Sequence, residues 1–168
     1  MTDTHRPHRA FVALGANLDE PAAQVKAAAA ALAALPGSRL LRLSSLYRSA
    51  PVGVGAEAQP DYVNAVAELA TGLGAHELLA ELFAIEQRFG RRRSTRNAAR
   101  TLDLDLLLFD GQCIDDAVLT LPHPRLHLRA FVVQPLVEIA PELSIPRRGL
   151  AAAWLPAVAS QRIERMRG

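Results

Sequence analysis

Residues 100–110 read RTLDLDLLLFD, an apolar run that carries two carboxylates, Asp103 and Asp105, in its first half. The run reads as a buried β-strand. Side chains alternate across a strand, so Asp103, Asp105 and Leu107 are expected on one face, and Leu102, Leu104, Leu106 and Leu108 on the other. Two carboxylates about 7 Å apart on a half-buried face repel each other, and burial makes each charge costly. A cation must therefore stand close to them. One source lies just upstream: Arg88, Arg91, Arg92, Arg93, Arg96 and Arg100 fall within thirteen residues, and no acid lies between Glu86 and Asp103. A solvated face would mix in acids, so this cluster points to a polyanion.

Working outward, residues 11–14 read as a short strand ended by the turn signal Gly15-Ala16-Asn17. Pro21 opens a helix with Val25, Ala29 and Leu32 at helical spacing, and Pro36-Gly37 stops it. Residues 39–47 form a second strand and residues 49–60 a long Gly/Pro/Ala loop. Residues 61–71 form a third strand, with Tyr62, Asn64, Val66 and Glu68 on one face. Leu78, Leu82, Ile85 and Phe89 make the apolar stripe of a second helix, which Gly90 is placed to end. The arginine-rich stretch and the Asp103/Asp105 strand follow. That order, strand–helix–strand–strand–helix–strand, predicts an α+β, ferredoxin-like βαββαβ antiparallel sheet. A helical segment from Ala130 interrupted by Pro135, and an alanine-rich helix around Trp154, are expected to cover the sheet's other face as a third layer. One domain over residues 1–168 is expected, with residues 1–8 flexible.

The 50% hydrophobic and 21% charged composition excludes a disordered chain. No apolar run is long enough to cross a membrane, and the start, MTDTHRPHRA, has no signal-peptide core, so a cytoplasmic location is expected. Cys113 is the only cysteine, which excludes an internal disulfide and a cysteine-rich zinc site. The Asp103/Asp105 pair suits Mg²⁺, a hard ion held by one or two protein carboxylates and completed by phosphate oxygens and water. Beside arginines that can clamp phosphate, the pair points to a nucleotide-triphosphate site. There is no G-x-x-x-x-G-K-[ST], which rules out a Walker-type cradle.

The stretches FVALGANLDEP, SSLYRSAPVG, QPDYVNAVAEL, AIEQRFGRRR, ARTLDLDLLLFD and LTLPHPRLHLRAFVVQPLVEIAPEL occur in that order between about residue 9 and residue 146. Together they resemble the 6-hydroxymethyl-7,8-dihydropterin pyrophosphokinase family of folate biosynthesis. The resemblance implies an ATP- and Mg²⁺-dependent diphosphotransferase that moves the β,γ-diphosphate of ATP to the pterin hydroxymethyl oxygen and releases AMP. It implies Asp103 and Asp105 as ligands of two Mg²⁺ ions and Arg91 and Arg100 as catalytic phosphate grips. Glu86, Arg93, Leu106, Thr120, His123 and Arg129 would join them on the ATP side. Tyr62 and Phe131 would sandwich the pterin ring, Asn64 would pair with its amide edge, and Ser49, Ala50 and Val52 would form the loop that reads it.

Departures from the family pattern are local. Asn97, Ala98 and Ala99 stand where the family commonly has Trp-Gly-Pro, Phe83 where a glutamine is frequent, and Ala50 where a proline is frequent. ATP and the pterin are the expected partners, with no nucleic acid, no membrane and a monomeric chain. Two alternatives stand beside this reading. A nucleotidyltransferase shares the glycine turn and the D-x-D pair but lacks a serine after Gly15. A ferredoxin-like RNA-binding module would need exposed aromatics on its central strands, and aromatics are only 5% of this chain.

Overall fold

The computed structural model describes residues 6–50, 60–89 and 102–167. In chain order the elements are β1 (His8–Ala16), α1 (Pro21–Ala33), β2 (Ser38–Leu43), β3 (Tyr47–Ser49), β4 (Tyr62–Thr71), α2 (Ala75–Arg88) and β5 (Asp103–Phe109). A hairpin, β6–β7 (Ile114–Asp115 and Thr120–Leu121), precedes α3 (Ala130–Ile139). A second hairpin, β8–β9 (Ser144–Ile145 and Gly149–Leu150), leads to β10 (Ile163–Arg165).

β1 is the centre of the sheet. It pairs antiparallel with β4 on one edge and β5 on the other. β2 and β3 take successive lengths of the far edge of β4, and β10 pairs with β3, again antiparallel. The fold is therefore α+β on an antiparallel sheet. α1 buries Val25, Ala28, Ala29 and Leu32, and α2 buries Leu78, Leu82 and Ile85. Both stripes join Val12, Leu14, Leu104 and Leu106 in one core. α3 lies on the opposite face, where Val132, Leu136 and Ile139 pack with Phe11, Val66, Leu107 and Leu108.

Tyr47 and Glu138 latch α3 to the sheet. The buried Tyr47 hydroxyl donates to Glu138 Oε1 at 2.6 Å, and the backbone N–H of Ser45 donates to both Glu138 oxygens. Burial and the neighbouring carboxylate raise the Tyr47 pKa, so the phenol stays a donor.

Several expectations change in the structure. The register of β1 against β5 shifts between Phe11 and Val12, so that Leu108 faces Phe11 and Leu106 faces Val12. Leu107 is the extra residue of this β-bulge, and beyond it the alternation reverses. Leu108 therefore joins Leu107 in the α3-side core, and Phe109 takes the place expected of Leu108 with Leu104 and Leu106. The second strand, expected over 39–47, is two strands. Between them Ser44 replaces the ladder: its Oγ accepts the Val66 N–H at 2.9 Å, and its own N–H donates to the Val66 carbonyl at 2.9 Å. Gly15 and Ala16 belong to β1 rather than to a turn, and His8 already opens that strand.

Pro135 does not interrupt α3, which runs through it although the Phe131 carbonyl loses its N–H donor. The alanine-rich stretch near Trp154 forms two short 3₁₀ turns, Ala151–Trp154 and Pro156–Val158, instead of an α-helix. Pro156 opens the second of these turns and has no N–H to give the Ala152 carbonyl.

His127 gives the fold a pH dependence. It is 4% exposed, its ring meets Trp154 edge-on at 4.7 Å, and Nδ1 has no hydrogen-bond partner among the described residues. Burial, with a smaller contribution from Arg148, lowers its pKa. An unfolded histidine takes up a proton near pH 6.5, and the folded one does so only at lower pH. The unfolded state therefore binds more protons below about pH 6.5, and stability falls as the pH drops from there through the folded pKa. Urea midpoints of the ligand-free protein should decline between pH 7 and pH 5, and His127→Leu should flatten that decline. An unchanged slope in the variant would assign the dependence to other groups.

Candidate active site

The register of four strands, β1, β3, β4 and β5, lays the polar residues of the sheet side by side on the face that carries α3. Gly15 lies opposite Asn64 on one side and opposite Asp103 on the other, and Tyr47 lies opposite Asn64. One step along, Ala13 stands between Val66 and Asp105. A third step pairs Ser49 with Tyr62. The two central positions, Gly15 and Ala13, are the smallest residues available. They form the floor of a cavity of about 690 Å³ bordered by Asn64, Asp103 and Asp105.

The glycine allows a close approach. A Cβ at Gly15 would sit 3.2 Å from Asn64 Oδ1, tighter than side chains ordinarily tolerate. Asn64 is itself held in place: it is 4% exposed, and its Nδ2 donates to Ser49 Oγ at 2.7 Å. That bond uses one of the two amide hydrogens and leaves the rest of the carboxamide edge available on the cavity side.

The opposite wall comes from the segment before α3 and its first turn. Arg125, Leu128, Arg129 and Phe131 all line the cavity, and the Arg129 guanidinium carbon lies 5.5 Å from the Phe131 ring centroid. Asp103 and Asp105, both half-buried, thus share a cavity with two arginines. Gln161 and Arg162, from the segment entering β10, complete the lining.

His123 is anchored by the bulge. Its N–H donates to the Leu107 carbonyl at 2.9 Å, which ties the loop after β7 to the extra residue of β5. Its Nδ1 accepts the Arg125 N–H at 3.2 Å, so the neutral ring carries its proton on Nε2. Burial, then Arg129 and Arg125, push its pKa down to about 4 against the weaker pull of Asp103. At neutral pH His123 is an uncharged donor beside the arginines.

Of the residues singled out in the sequence, Ser49, Ala50, Tyr62, Asn64, Asp103, Asp105, Arg129 and Phe131 come together around this cavity. Glu86, Leu106, Thr120 and His123 do not line it. Leu106 belongs to the core on the far face, beneath α1 and α2. Glu86 is 3% exposed and points its Oε2 at the backbone N–H of Leu104, 2.8 Å away, on the outer edge of β5. Val52, Arg91, Arg93 and Arg100 lie outside the described residues. Sequence reasoning passed over Ala13, Gly15, Arg125, Leu128, Gln161 and Arg162. Arg125 stood inside the quoted L-P-H-P-R stretch, and Gly15 had been read only as a turn signal. Gln161 and Arg162 carry no local signal at all.

A concave, partly apolar cavity with a few converging charged and amide groups is that of a protein that binds small ligands with a flat ring and an anionic tail. A family model described as 7,8-dihydro-6-hydroxymethylpterin-pyrophosphokinase (HPPK) matches residues 11–141, and the chain belongs to this family. A Pseudomonas aeruginosa protein named 2-amino-4-hydroxy-6-hydroxymethyldihydropteridine pyrophosphokinase is 45% identical over 160 residues, 95% of this chain and 98% of that one. The Haemophilus influenzae protein of the same name is 47% identical over 137 residues, 82% of this chain and 84% of its own. Among solved structures, wild-type Plasmodium falciparum HPPK-DHPS with pteroate superposes with a TM-score of 0.72 at 12% identity, over 95% of this chain. The chain spans only 44% of that longer protein, and the likeness speaks to the fold alone. The family match leaves the nucleotidyltransferase and RNA-module alternatives without support.

Glu86→Ala would leave the buried Leu104 N–H without its acceptor, at a cost of about 1–3 kcal/mol. Glu86→Gln keeps an oxygen there and should recover most of that loss. Chemical denaturation of the two variants beside the parent protein measures both values. Equal losses would mean that the carboxylate charge, rather than the bond to β5, is what matters.

Proposed function

We propose that the chain transfers the β,γ-diphosphate of ATP to the hydroxymethyl oxygen of 6-hydroxymethyl-7,8-dihydropterin, giving the pterin diphosphate and AMP, as a step of folate biosynthesis. The observation that carries this reading is the convergence of Asp103, Asp105, Asn64, Tyr62, Arg129 and Phe131 on one cavity in a chain of this family. The oxygen attacks the β-phosphorus, the bond from that phosphorus to the α-phosphate bridging oxygen breaks, AMP leaves with the electron pair, and the hydroxyl proton passes to water. Such a transfer depends on positioning and on charge stabilisation more than on a general base.

The pterin ring lies between Tyr62 and Phe131. Asn64, fixed by Ser49, reads its amide edge, and Ser49, Ala50 and Val52 border it. Arg129 grips phosphate from the α3 side, with Arg125 beside it, and His123 offers its Nε2–H to a phosphate oxygen. Arg91, Arg93 and Arg100 supply positive charge to the triphosphate, and Glu86, Leu106 and Thr120 support the nucleotide side of β5 and β7. Asp103 and Asp105 are the residues that hold two Mg²⁺ ions. Two carboxylates on one cavity are a donor set that suits Mg²⁺, whose other positions phosphate oxygens and water would fill. When bound, the ions neutralise charge on the triphosphate.

The remaining parts of this reading concern the whole chain. The antiparallel strand order, with α1 and α2 on one face and α3 on the other, supports a ferredoxin-like, three-layer domain over residues 1–168. The reading also takes the chain as a cytoplasmic monomer that acts on small molecules and binds no nucleic acid; no helix among the described residues is long and apolar enough to cross a membrane.

The product identifies the reaction. Mixed with ATP, Mg²⁺ and the pterin, the protein should yield AMP and pterin diphosphate in equal amounts by phosphorus NMR. ADP or free pyrophosphate as the pterin-dependent product overturns the reading. Asp103→Ala and Asp105→Ala should each abolish turnover and keep the fold, with unchanged or raised stability because like-charge repulsion is relieved. Turnover within a few-fold of the parent would remove the metal role. Arg129→Ala should cost about 2–4 kcal/mol of transition-state stabilisation, read from steady-state kinetics.

A further inference from the structure

Arg129 stands alone between two helical elements. The 3₁₀ turn Leu126–Leu128 ends before it and α3 begins after it, while Arg129 itself is extended, with φ −122° and ψ 116°. This conformation turns its side chain out of both helices and into the cavity. It also leaves two backbone groups exposed at the junction, the Leu128 carbonyl and the Ala130 N–H. An arginine at the N-cap has no acceptor to offer, and α3 has no side-chain cap of its own.

One distant carboxamide serves both groups. Gln161 Oε1 accepts the Ala130 N–H at 2.8 Å, and its Nε2 donates to the Leu128 carbonyl at 2.7 Å. The two bonds bracket Arg129 from residues 31 and 33 positions away in the chain. Gln161 is itself anchored on both sides: its N–H donates to the Val158 carbonyl at 3.0 Å, and Ile163, two residues on, pairs with Ser49 at the cavity rim. Glutamine is the side chain that fits this place. Glutamate has no donor, methionine has neither group, and asparagine is one carbon shorter.

We propose that Gln161 is a positioning residue for the reaction, holding Arg129 and the first turn of α3, with Phe131, in their ligand-facing arrangement. It lies beyond residues 11–141, the part of the chain the family model matches. The inference rests on the reading of Arg129 as a phosphate grip. Gln161 contributes by fixing the backbone on either side of that arginine, so its effect on ATP passes through Arg129.

A double-mutant cycle tests it with Gln161→Met, Arg129→Ala and the double variant beside the parent protein. Dissociation constants for ATP with Mg²⁺ by calorimetry, kcat and KM for AMP formation, and thermal midpoints are measured for all four. Gln161→Met should weaken ATP binding about ten-fold in the parent background and less than about two-fold once Arg129 is alanine. Gln161→Glu, which keeps the acceptor for the Ala130 N–H, should fall between methionine and the parent. It also takes over the cycle should Gln161→Met fail to fold.

An equal fold-loss in both backgrounds overturns the proposal and leaves Gln161 as a stability cap. So does a Gln161→Met protein that melts lower and binds ATP normally. Arg129→Ala with unchanged ATP affinity and turnover would instead sink the role assigned to Arg129 in the proposed function.

Discussion

The site depends on the pairing of β1 along both edges. A strand bonded on one side has one register to keep, and β1 keeps two, against β4 and against β5. Those registers alone bring Asn64 and Asp103 to either side of Gly15, and Val66 and Asp105 to either side of Ala13. A slip of one residue in either ladder would turn the carboxylates into the α1–α2 core or the amide away from them. The nine paired residues of β1, closed in by α1 and α2 on one face and α3 on the other, make such a slip costly. The packing of the apolar core thus fixes the spacing of the polar groups.

The bulge in β5 extends the same logic. At its first half β5 must show carboxylates to the α3 face, and at its second half it must show leucines there to α3. Strict alternation from Asp103 and Asp105 would put Leu107 on that face and Leu108 on the other. The extra residue keeps both leucines on the α3 side and sends Phe109 to the opposite core. It also frees a carbonyl for the His123 N–H, which carries the arginine-bearing segment back over the carboxylates. A single irregularity thereby serves packing on one half of the strand and chemistry on the other.

Much of this was legible in the sequence, and what was not has a physical reason. The leucine stripe of α2 and the alternation over residues 102–107 are regular periods, and periods survive in one dimension. The quoted motifs named most of the cavity's polar residues because the ligand chemistry demands particular groups at particular places. The bulge left no trace, since Leu107 and Leu108 are the same residue type whichever face they take. The alanine-rich tail read as helix by propensity, and the chain instead makes two 3₁₀ turns that divide at Pro156. Gly15 looked like a turn because its reason for being glycine is Asn64, which sits on another strand. Gln161 could not be found at all: its partners are two backbone groups, and backbone groups have no sequence.

Electrostatics give the last step. Asp103 and Asp105 occupy positions that packing alone would fill with leucine, and the wall across the cavity carries positive charge from Arg125 and Arg129. Those arginines act on His123 as well, helping burial to hold the ring neutral. A protonated His123 would add a third positive charge to a crowded corner. Carboxylates on the floor and guanidinium groups on the wall cannot neutralise one another fully without closing the space between them. The cavity stays open because β1 sets the floor and α3 sets the wall independently, with Tyr47 and Glu138 holding the two at a fixed separation. A cavity with carboxylates on its floor and guanidinium groups on its wall offers both signs of charge to whatever enters it.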